Sequence, residues 1–211
     1  MDIKVAFFDM DGTLIKENSW DLIYKSIGLE TSPYLKDYLE GKIPYKKLVE
    51  LDIGYWKING RDVKRSMIEQ LAKKVSIKED ARIITNRLKK HGVKLVMVTA
   101  GLYEFADYVG RELGFDRIYA NKFLYDKNGL IMDAIIEVEP LHKYKLIEKY
   151  LNENGLKANN AISVGDTLYD ESMFRATAYG FLLDEKDNTK VNGKEYKIKS
   201  LEQLFQHINM D

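Results

Sequence analysis

The run Val5-Ala6-Phe7-Phe8-Asp9-Met10-Asp11-Gly12-Thr13-Leu14 places four apolar residues directly before two acidic ones. A short, continuously apolar run is typical of a strand that is buried on both faces. Gly12 permits a tight turn after this strand, in which amide groups can point toward an anion. In a parallel sheet this end of the strand borders the ligand crevice. Asp9 and Asp11 are therefore candidate catalytic residues, although Asp and Gly are also common in ordinary turns.

Three further apolar runs, at residues 93–98, 161–164 and 179–183, also predict buried strands. Amphipathic helices are predicted between them, over residues 103–113 and 143–154. Strands that alternate with helices predict an α/β fold in which a parallel sheet is covered on both faces. A last helix is predicted over residues 201–208.

The segment between the first two predicted strands has a helical pattern instead. Asn18 or Ser19 suits a helix N-cap, and Pro44 suits a first helical turn. We therefore predict a helical insertion over residues 16–76, which folds over a core formed by residues 1–15 and 77–211. Further along, Asn128-Gly129 between apolar runs predicts a β-hairpin.

Composition narrows the classes of function. The chain has 211 residues, 33 basic and 33 acidic side chains, and no cysteine. Disulfides, thiolate metal sites and a cysteine nucleophile are excluded. Without a long basic run or a long apolar segment, we expect no nucleic-acid partner, no membrane span and no signal peptide. These features predict a cytoplasmic protein, either a monomer or a homodimer.

A second acidic motif, Gly165-Asp166-Thr167-Leu168-Tyr169-Asp170, follows the third apolar run. Side by side at one sheet edge, Asp9, Asp11, Asp166 and Asp170 would repel one another unless a cation lay among them. Oxygen-only ligands with an open face suit Mg²⁺. The sequence thus predicts a magnesium site, with Asp170 also suited to a helix N-terminus.

Two further groups are candidates for binding phosphate. Thr99-Ala100-Gly101 follows the second apolar run, where a hydroxyl and free amides at a helix start would form a small anion site. Lys143, at the head of a predicted helix, could neutralise a phosphate and the attacking carboxylate. The alternative for Thr99-Ala100-Gly101 is ordinary helix capping. The alternative for Lys143 is a solvated lysine on the surface.

In this order, the four motifs resemble those of the haloacid dehalogenase-like superfamily of phosphotransferases. Residues 8–14 are similar to its first motif, Thr99 and its neighbours to the second, Lys143 to the third and residues 165–170 to the fourth. The resemblance implies a three-layer Rossmann-like core with a type 1 helical cap, similar to that of phosphoserine phosphatases. It also implies that Asp9 attacks phosphorus to form an aspartyl-phosphate, while Asp11 acts as acid and base.

The same resemblance implies that Mg²⁺ lies between Asp9, the Asp11 carbonyl and Asp166, with Asp170 as a ligand or support. The cap departs from the phosphoserine phosphatase pattern. The glutamate that grips the serine falls at Asn18, beside Glu17, and the arginine falls near Asp52. These three residues are candidates for cap selectivity. We predict that Trp20, Tyr55 and Trp56 in the cap belong to the core.

The leading hypothesis is a Mg²⁺-dependent phosphatase acting on a small-molecule phosphomonoester, not necessarily phosphoserine. The alternatives are a true phosphoserine phosphatase of serine biosynthesis and a phosphotransferase or phosphomutase with an acceptor other than water. A phosphate-binding regulatory domain is the non-enzymatic alternative. Asp11 and the insertion argue against that last reading, because such domains lack both.

Overall fold

The computed structural model describes residues 2–186 and 195–208. Its strands are β1 (Val5–Phe8), β2 (Lys94–Leu102), β3 (Arg117–Tyr125), β4 (Ile131–Ile135), β5 (Ala161–Gly165), β6 (Tyr179–Leu183) and β7 (Tyr196–Ile198). They form one sheet in the order β4-β3-β2-β1-β5-β6-β7. Adjacent strands run parallel except β3 and β4, which are antiparallel. The strand that carries the first acidic motif is therefore central.

Helices of varied length connect these strands. They are α1 (Ser19–Ser26), α2 (Leu35–Leu39), α3 (Tyr45–Ile58), α4 (Arg65–Ala72), α5 (Glu79–Lys90), α6 (Tyr103–Leu113), α7 (Tyr144–Glu153) and α8 (Glu171–Arg175). Short 3₁₀ turns cover Pro140–His142, Ala158–Asn160, Leu168–Asp170 and Leu201–Gln206. None of the helices in the described ranges is long and apolar enough to cross a bilayer.

Strand β1 shows why the fold has three layers. Its four side chains are fully buried, and β2 and β5 pair with it on either side. Val5 and Phe7 pack in one apolar cluster with residues of α7 and α8. Ala6 and Phe8 pack in a second cluster with residues of α5 and α6. Because alternate side chains face opposite layers, the continuous apolar run is required, and the predicted three-layer α/β fold is confirmed.

Helices α1 to α4 lie between β1 and α5, where the helical insertion is predicted. The chain leaves the sheet and returns to it at adjacent points, since Ile15 and Ile77 form an antiparallel bridge. Glu17 reinforces this junction, because its carboxylate accepts hydrogen bonds from the Ser76 N–H at 2.8 Å and the Ser76 hydroxyl at 2.7 Å. The exact division into core and insertion stays a prediction.

Several predicted elements differ from those observed. Strand β2 runs on to Leu102, because Leu102 pairs with Asn121 of β3 after a shift in register. The first half of β3 and all of β7 lack an apolar run as long as those of the predicted strands, and both are missing from the predictions. The predicted last helix is a 3₁₀ turn that ends at Gln206. The hairpin is confirmed: β3 and β4 pair across a turn in which Gly129 has φ +77°.

Two glycines offer a matched test of this packing. A Cβ at Gly180 in β6 would lie 2.2 Å from the Phe174 Cβ, whereas one at Gly54 in α3 would meet nothing within 4 Å. Gly180→Ala should destabilise the protein by about 1–3 kcal/mol through overpacking. Gly54→Ala should stabilise it by roughly 0.5–1 kcal/mol through helix propensity. Urea unfolding midpoints measure both, and an unchanged midpoint for Gly180→Ala would contradict the packing of α8 on β6.

Candidate active site

The acidic motifs meet at the carboxyl edge of the sheet. Asp9 and Asp11 follow β1, and Asp166 follows the neighbouring strand β5. The Asp9 N–H donates to the Val164 carbonyl at 2.9 Å, which ties the two strand ends together. One carboxylate oxygen from each of Asp9, Asp166 and Asp170 lies within 4.8 Å of the others. The structure thus brings three of the four predicted carboxylates within reach of one cation, and the Asp11 carboxylate is not among these three.

Lys143 is buried in the middle of this cluster. Its side chain is 4% exposed, and its Nζ donates to Asp9 Oδ1 at 2.8 Å and to Asp170 Oδ1 at 2.6 Å. Burial alone would lower the pKa of Lys143, but attraction by Asp170 and Asp9 raises it above its usual value. Lys143 therefore carries a positive charge at neutral pH. The alternative of a solvated surface lysine is wrong.

Asp170 is fixed by its surroundings. Its Oδ2 accepts hydrogen bonds from the Thr167 N–H and the Thr167 hydroxyl, both at 3.1 Å, while its Oδ1 faces Lys143. Only a glycine fits at position 165, because a Cβ there would lie 2.4 Å from the Asp170 Cγ. Asp170 thus holds Lys143 in place and also lies near enough to the other carboxylates to supply a third oxygen.

Asp166 is positioned by the turn after β1. The Thr13 hydroxyl donates to Asp166 Oδ1 at 3.1 Å. Gly12 has φ +72°, and a Cβ there would lie 2.1 Å from Asp166 Oδ2. The glycine is needed both for this backbone conformation and for the space that the carboxylate occupies. Sequence reasoning placed Thr13 in the motif but did not predict this role.

Burial, with repulsion between neighbouring carboxylates, raises the pKa values in the acidic cluster. Burial raises the pKa of Asp9 to about 6, even against the attraction of Lys143. Burial and the charge of Asp9 raise the pKa of Asp11 to about 7. Burial, Asp9 and Asp170 raise the pKa of Asp166 to about 8. One lysine does not balance this cluster, so its oxygen donors fit an added divalent cation such as Mg²⁺.

Thr99, Ala100 and Gly101 lie beside these carboxylates but not at a helix start. They are part of β2, and α6 begins only at Tyr103. This corrects the prediction of free amides at a helix N-terminus. The Gly101 N–H is one of the amides expected to be free, but it donates a hydrogen bond to the Thr99 hydroxyl oxygen at 3.0 Å.

The Ala100 carbonyl joins the core to the insertion. It accepts hydrogen bonds from Trp20 Nε1 and the Tyr45 hydroxyl, both at 3.1 Å, and from Asn121 Nδ2 at 2.9 Å. Trp20 and Tyr45 belong to α1 and α3 of the insertion. Sequence reasoning missed this contact, because no local pattern links an indole to a strand eighty residues away.

A cavity of about 720 Å³ lies between the core and the insertion. Asp9, Asp11 and Lys143 line it from the core. From the insertion, its wall combines aromatic and aliphatic side chains with polar and charged ones. The apolar part includes Trp20, Tyr24, Tyr38, Tyr45, Leu48 and Val49, and the charged part includes the exposed Lys16 and Lys25. The prediction that Trp56 is a core residue agrees with its 2% exposure, whereas Trp20 is only partly buried and faces this cavity.

The three predicted selectivity residues all line the cavity, but in different settings. Glu17 is held by Ser76 at the junction described above. Asn18 is the N-cap of α1, since its Oδ1 accepts hydrogen bonds from the Trp20 and Asp21 amides. Asp52 is buried and accepts hydrogen bonds from the Tyr24 and Ser32 hydroxyls, each at 2.7 Å. Of these three residues, Asp52 alone places a buried carboxylate in the part of the cavity wall that the insertion forms.

This site can be compared with known proteins. The model of the haloacid dehalogenase-like hydrolases matches residues 3–177, which include every residue of the acidic cluster. The chain belongs to the haloacid dehalogenase-like hydrolases. The family assignment agrees with the resemblance carried by the four motifs.

Curated proteins similar to this chain include phosphoserine phosphatases. The protein from Archaeoglobus fulgidus is 26% identical over 192 residues, which cover 89% of this chain and 54% of the relative. The match thus spans about half the length of that relative. The protein from Methanocaldococcus jannaschii is also 26% identical, with 82% of this chain and 81% of the relative covered. These relatives support a phosphatase.

Solved structures show the same fold. A haloacid dehalogenase family hydrolase from Salmonella enterica serovar Typhi superimposes with a TM-score of 0.81 at 19% identity, covering 96% of this chain and 70% of that one. A substrate-bound phosphoserine phosphatase superimposes with a TM-score of 0.77 at 22% identity, covering 99% of this chain and all of that one. The chain is thus phosphoserine phosphatase-like in fold as well as in sequence.

The raised carboxylate pKa values predict a distinctive dependence of stability on pH. Between the unfolded value of 3.8 and the folded values of about 6 to 8, the folded protein binds more protons than the unfolded chain. Stability of the metal-free protein should therefore fall as pH rises from about 4 to 8. Mg²⁺ should reverse this loss, by about 2.7 kcal/mol at a hundred times its Kd.

Thermal unfolding at several pH values, in EDTA and in Mg²⁺, measures this effect. The stabilisation by Mg²⁺ should grow with pH, because protons and the cation compete for the same oxygens. Asp166→Asn should remove most of it, while Asp62→Asn, at an exposed position away from the cavity, should not. An equal Mg²⁺ effect in native protein and Asp166→Asn would contradict the assignment.

Proposed function

We propose that the protein is a Mg²⁺-dependent phosphomonoester hydrolase that acts through an aspartyl-phosphate on Asp9. The observation that carries this proposal is the arrangement of Asp9, Asp11 and Lys143 at the base of one cavity. A carboxylate held by a buried ammonium stands two residues from a second carboxyl group with a raised pKa. These are the groups that phosphoryl transfer to a carboxylate and back to water needs.

The residues divide the work between two steps. In the first, an Asp9 oxygen forms a bond to phosphorus, the bond from phosphorus to the ester oxygen breaks, and Asp11 gives its proton to the leaving alcohol. In the second, Asp11 takes a proton from water as that water attacks phosphorus and Asp9 is released. A pKa near 7 suits Asp11 to both roles, because an acid–base group works best near the ambient pH.

Charge stabilisation comes from fixed groups. Lys143 lies between Asp9 and Asp170, where its ammonium can offset charge on the transferring phosphoryl group. Thr99 lines the same cavity, and its hydroxyl would complete the phosphate site next to Ala100 and Gly101. Asp9, Asp166 and the Asp11 carbonyl would hold Mg²⁺, which supplies positive charge to the phosphate oxygens when it is bound.

Asp9→Asn should abolish phosphate release, with a loss of about 10³-fold or more, because an amide oxygen is a poor nucleophile. Asp11→Asn should lower turnover of alkyl phosphates by about 10²–10⁴-fold, the usual contribution of acid–base catalysis. Phosphate release with Mg²⁺ is the measurement, and Asp62→Asn is the control. If native protein released no phosphate from any ester, hydrolysis would be ruled out, and transfer to an alcohol or sugar acceptor would be tested next.

The part of the cavity wall that Asp52 forms favours leaving groups without a carboxylate. Asp52 is 1% exposed, and within residues 2–186 and 195–208 no lysine or arginine forms an ion pair with it. Burial raises the pKa of Asp52 above its usual value, even though the Ser32 and Tyr24 hydroxyls stabilise its charged form. A second anion in the substrate would face this carboxylate in a desolvated wall, whereas an ammonium or a hydroxyl would be attracted to it. The proposed substrate class is thus an amino or neutral alkyl phosphomonoester rather than phosphoserine.

A series of esters with similar leaving groups tests this selectivity. For native protein, kcat/KM should decrease from 3-aminopropyl phosphate through butyl phosphate to 3-phosphooxypropanoate, with phosphoserine below the amine. In Asp52→Asn, the ratio of kcat/KM between the best and the worst of these esters should decrease about tenfold, which corresponds to about 1.4 kcal/mol. Ser32→Ala, which removes one hydrogen bond but keeps the charge, should preserve the order. Phosphoserine as the best substrate, unaffected by Asp52→Asn, would overturn the assignment.

A further inference from the structure

Ser19 is a buried hydroxyl whose partner lies in the catalytic pair. It is the first residue of α1 in the insertion and is fully buried. Its Oγ donates to Asp11 Oδ2 at 2.7 Å. The other oxygen, Asp11 Oδ1, is buried and has no hydrogen-bond partner among the described residues. One oxygen of the acid–base group is therefore held, and the other is free.

The helix itself does not need the Ser19 hydroxyl. Asn18 caps α1, because its Oδ1 accepts hydrogen bonds from the amides of Trp20 and Asp21 at 3.0 and 3.2 Å. A serine at a helix start would ordinarily be explained by capping. Since that role is filled by the preceding residue, the contact between Ser19 and Asp11 requires another explanation.

Gly101 leaves space for the contact between Ser19 and Asp11, and Trp20 fixes the start of α1 against the core. A Cβ at Gly101 would lie 2.8 Å from Ser19 Oγ and 3.1 Å from Asp11 Oδ2, so a side chain at position 101 would disturb the pair. Trp20, the next residue of α1, donates to the Ala100 carbonyl at 3.1 Å. The start of α1 is thus fixed to the core at two adjacent points.

We infer that Ser19 is a positioning residue for Asp11: the insertion supplies the hydroxyl that holds Oδ2 and so presents Oδ1 to the leaving-group oxygen. This inference rests on the proposed function. The hydroxyl donates to Oδ2 whether the carboxyl group is neutral or ionised, so the same contact serves both steps. In the first step the proton leaves Oδ1 for the ester oxygen as its bond to phosphorus breaks. In the second step Oδ1 receives a proton from the attacking water.

The dependence of rate on the leaving group tests this role. An alkoxide needs a proton from Asp11 as it leaves, whereas nitrophenolate leaves almost without one. Ser19→Ala should therefore lower kcat/KM by about 10–100-fold for butyl phosphate, a part of the usual contribution of acid catalysis, and by less than about threefold for 4-nitrophenyl phosphate. Because water attack is common to both esters, kcat limited by that step should fall equally for both.

Two variants separate positioning from a merely structural role. Ser19→Thr keeps the hydroxyl and should therefore retain most of the native kcat/KM for butyl phosphate. Tyr45→Phe removes a different hydrogen bond between insertion and core, and should lower kcat/KM by the same factor for both esters. Thermal unfolding in Mg²⁺ confirms that each variant is folded.

Each outcome is decisive for this role. Equal losses of kcat/KM for the two esters in Ser19→Ala, or no loss at all, would overturn the role of Ser19 while leaving the proposed hydrolysis intact. Absence of phosphate release by native protein would instead overturn the proposed function itself.

Discussion

One buried ammonium group organises the whole site. Lys143 binds Asp9 and Asp170, which lie 134 and 27 residues away in the sequence. Removing one partner from such a buried pair typically costs about 3–5 kcal/mol, because an uncompensated charge is left behind. The end of β1, the start of α7 and the turn after β5 must therefore meet at one point. The parallel sheet achieves this, since the ends of β1 and β5 already lie side by side.

The cluster remains negative even with Lys143 in place. Burial and mutual repulsion raise the pKa values of Asp9, Asp11 and Asp166. In the protein alone, these carboxyl groups therefore lose their protons only at a higher pH than usual. Gly12 adds to this by leaving the space into which Asp166 fits. Such a site gives up stability in the free protein, and a bound cation offsets the loss. The same imbalance of charge thus favours the proposed magnesium chemistry.

Local patterns predicted the central part of the fold well. A continuous apolar run followed by Asp identifies a buried strand and its functional end, and β1 and β6 have the predicted limits. The first half of β3 was missed because its apolar run is short. Its position also depends on Asn121, whose amide hydrogen-bonds Ala100 and the backbone near Val138. Those partners lie outside any local window. The same reason explains why β2 was predicted to end before Thr99.

The start of α1 shows most clearly what a sequence motif does not contain. Asn18 caps the helix, Ser19 binds a core carboxylate and Trp20 binds a strand carbonyl, so three consecutive residues have three unrelated partners. Successive helical side chains point about 100° apart, so each must meet a different neighbour. A shift of one residue along α1 would break all three contacts together. The insertion is therefore placed on the core by directional hydrogen bonds as well as by apolar burial, and its register is tied to the orientation of Asp11.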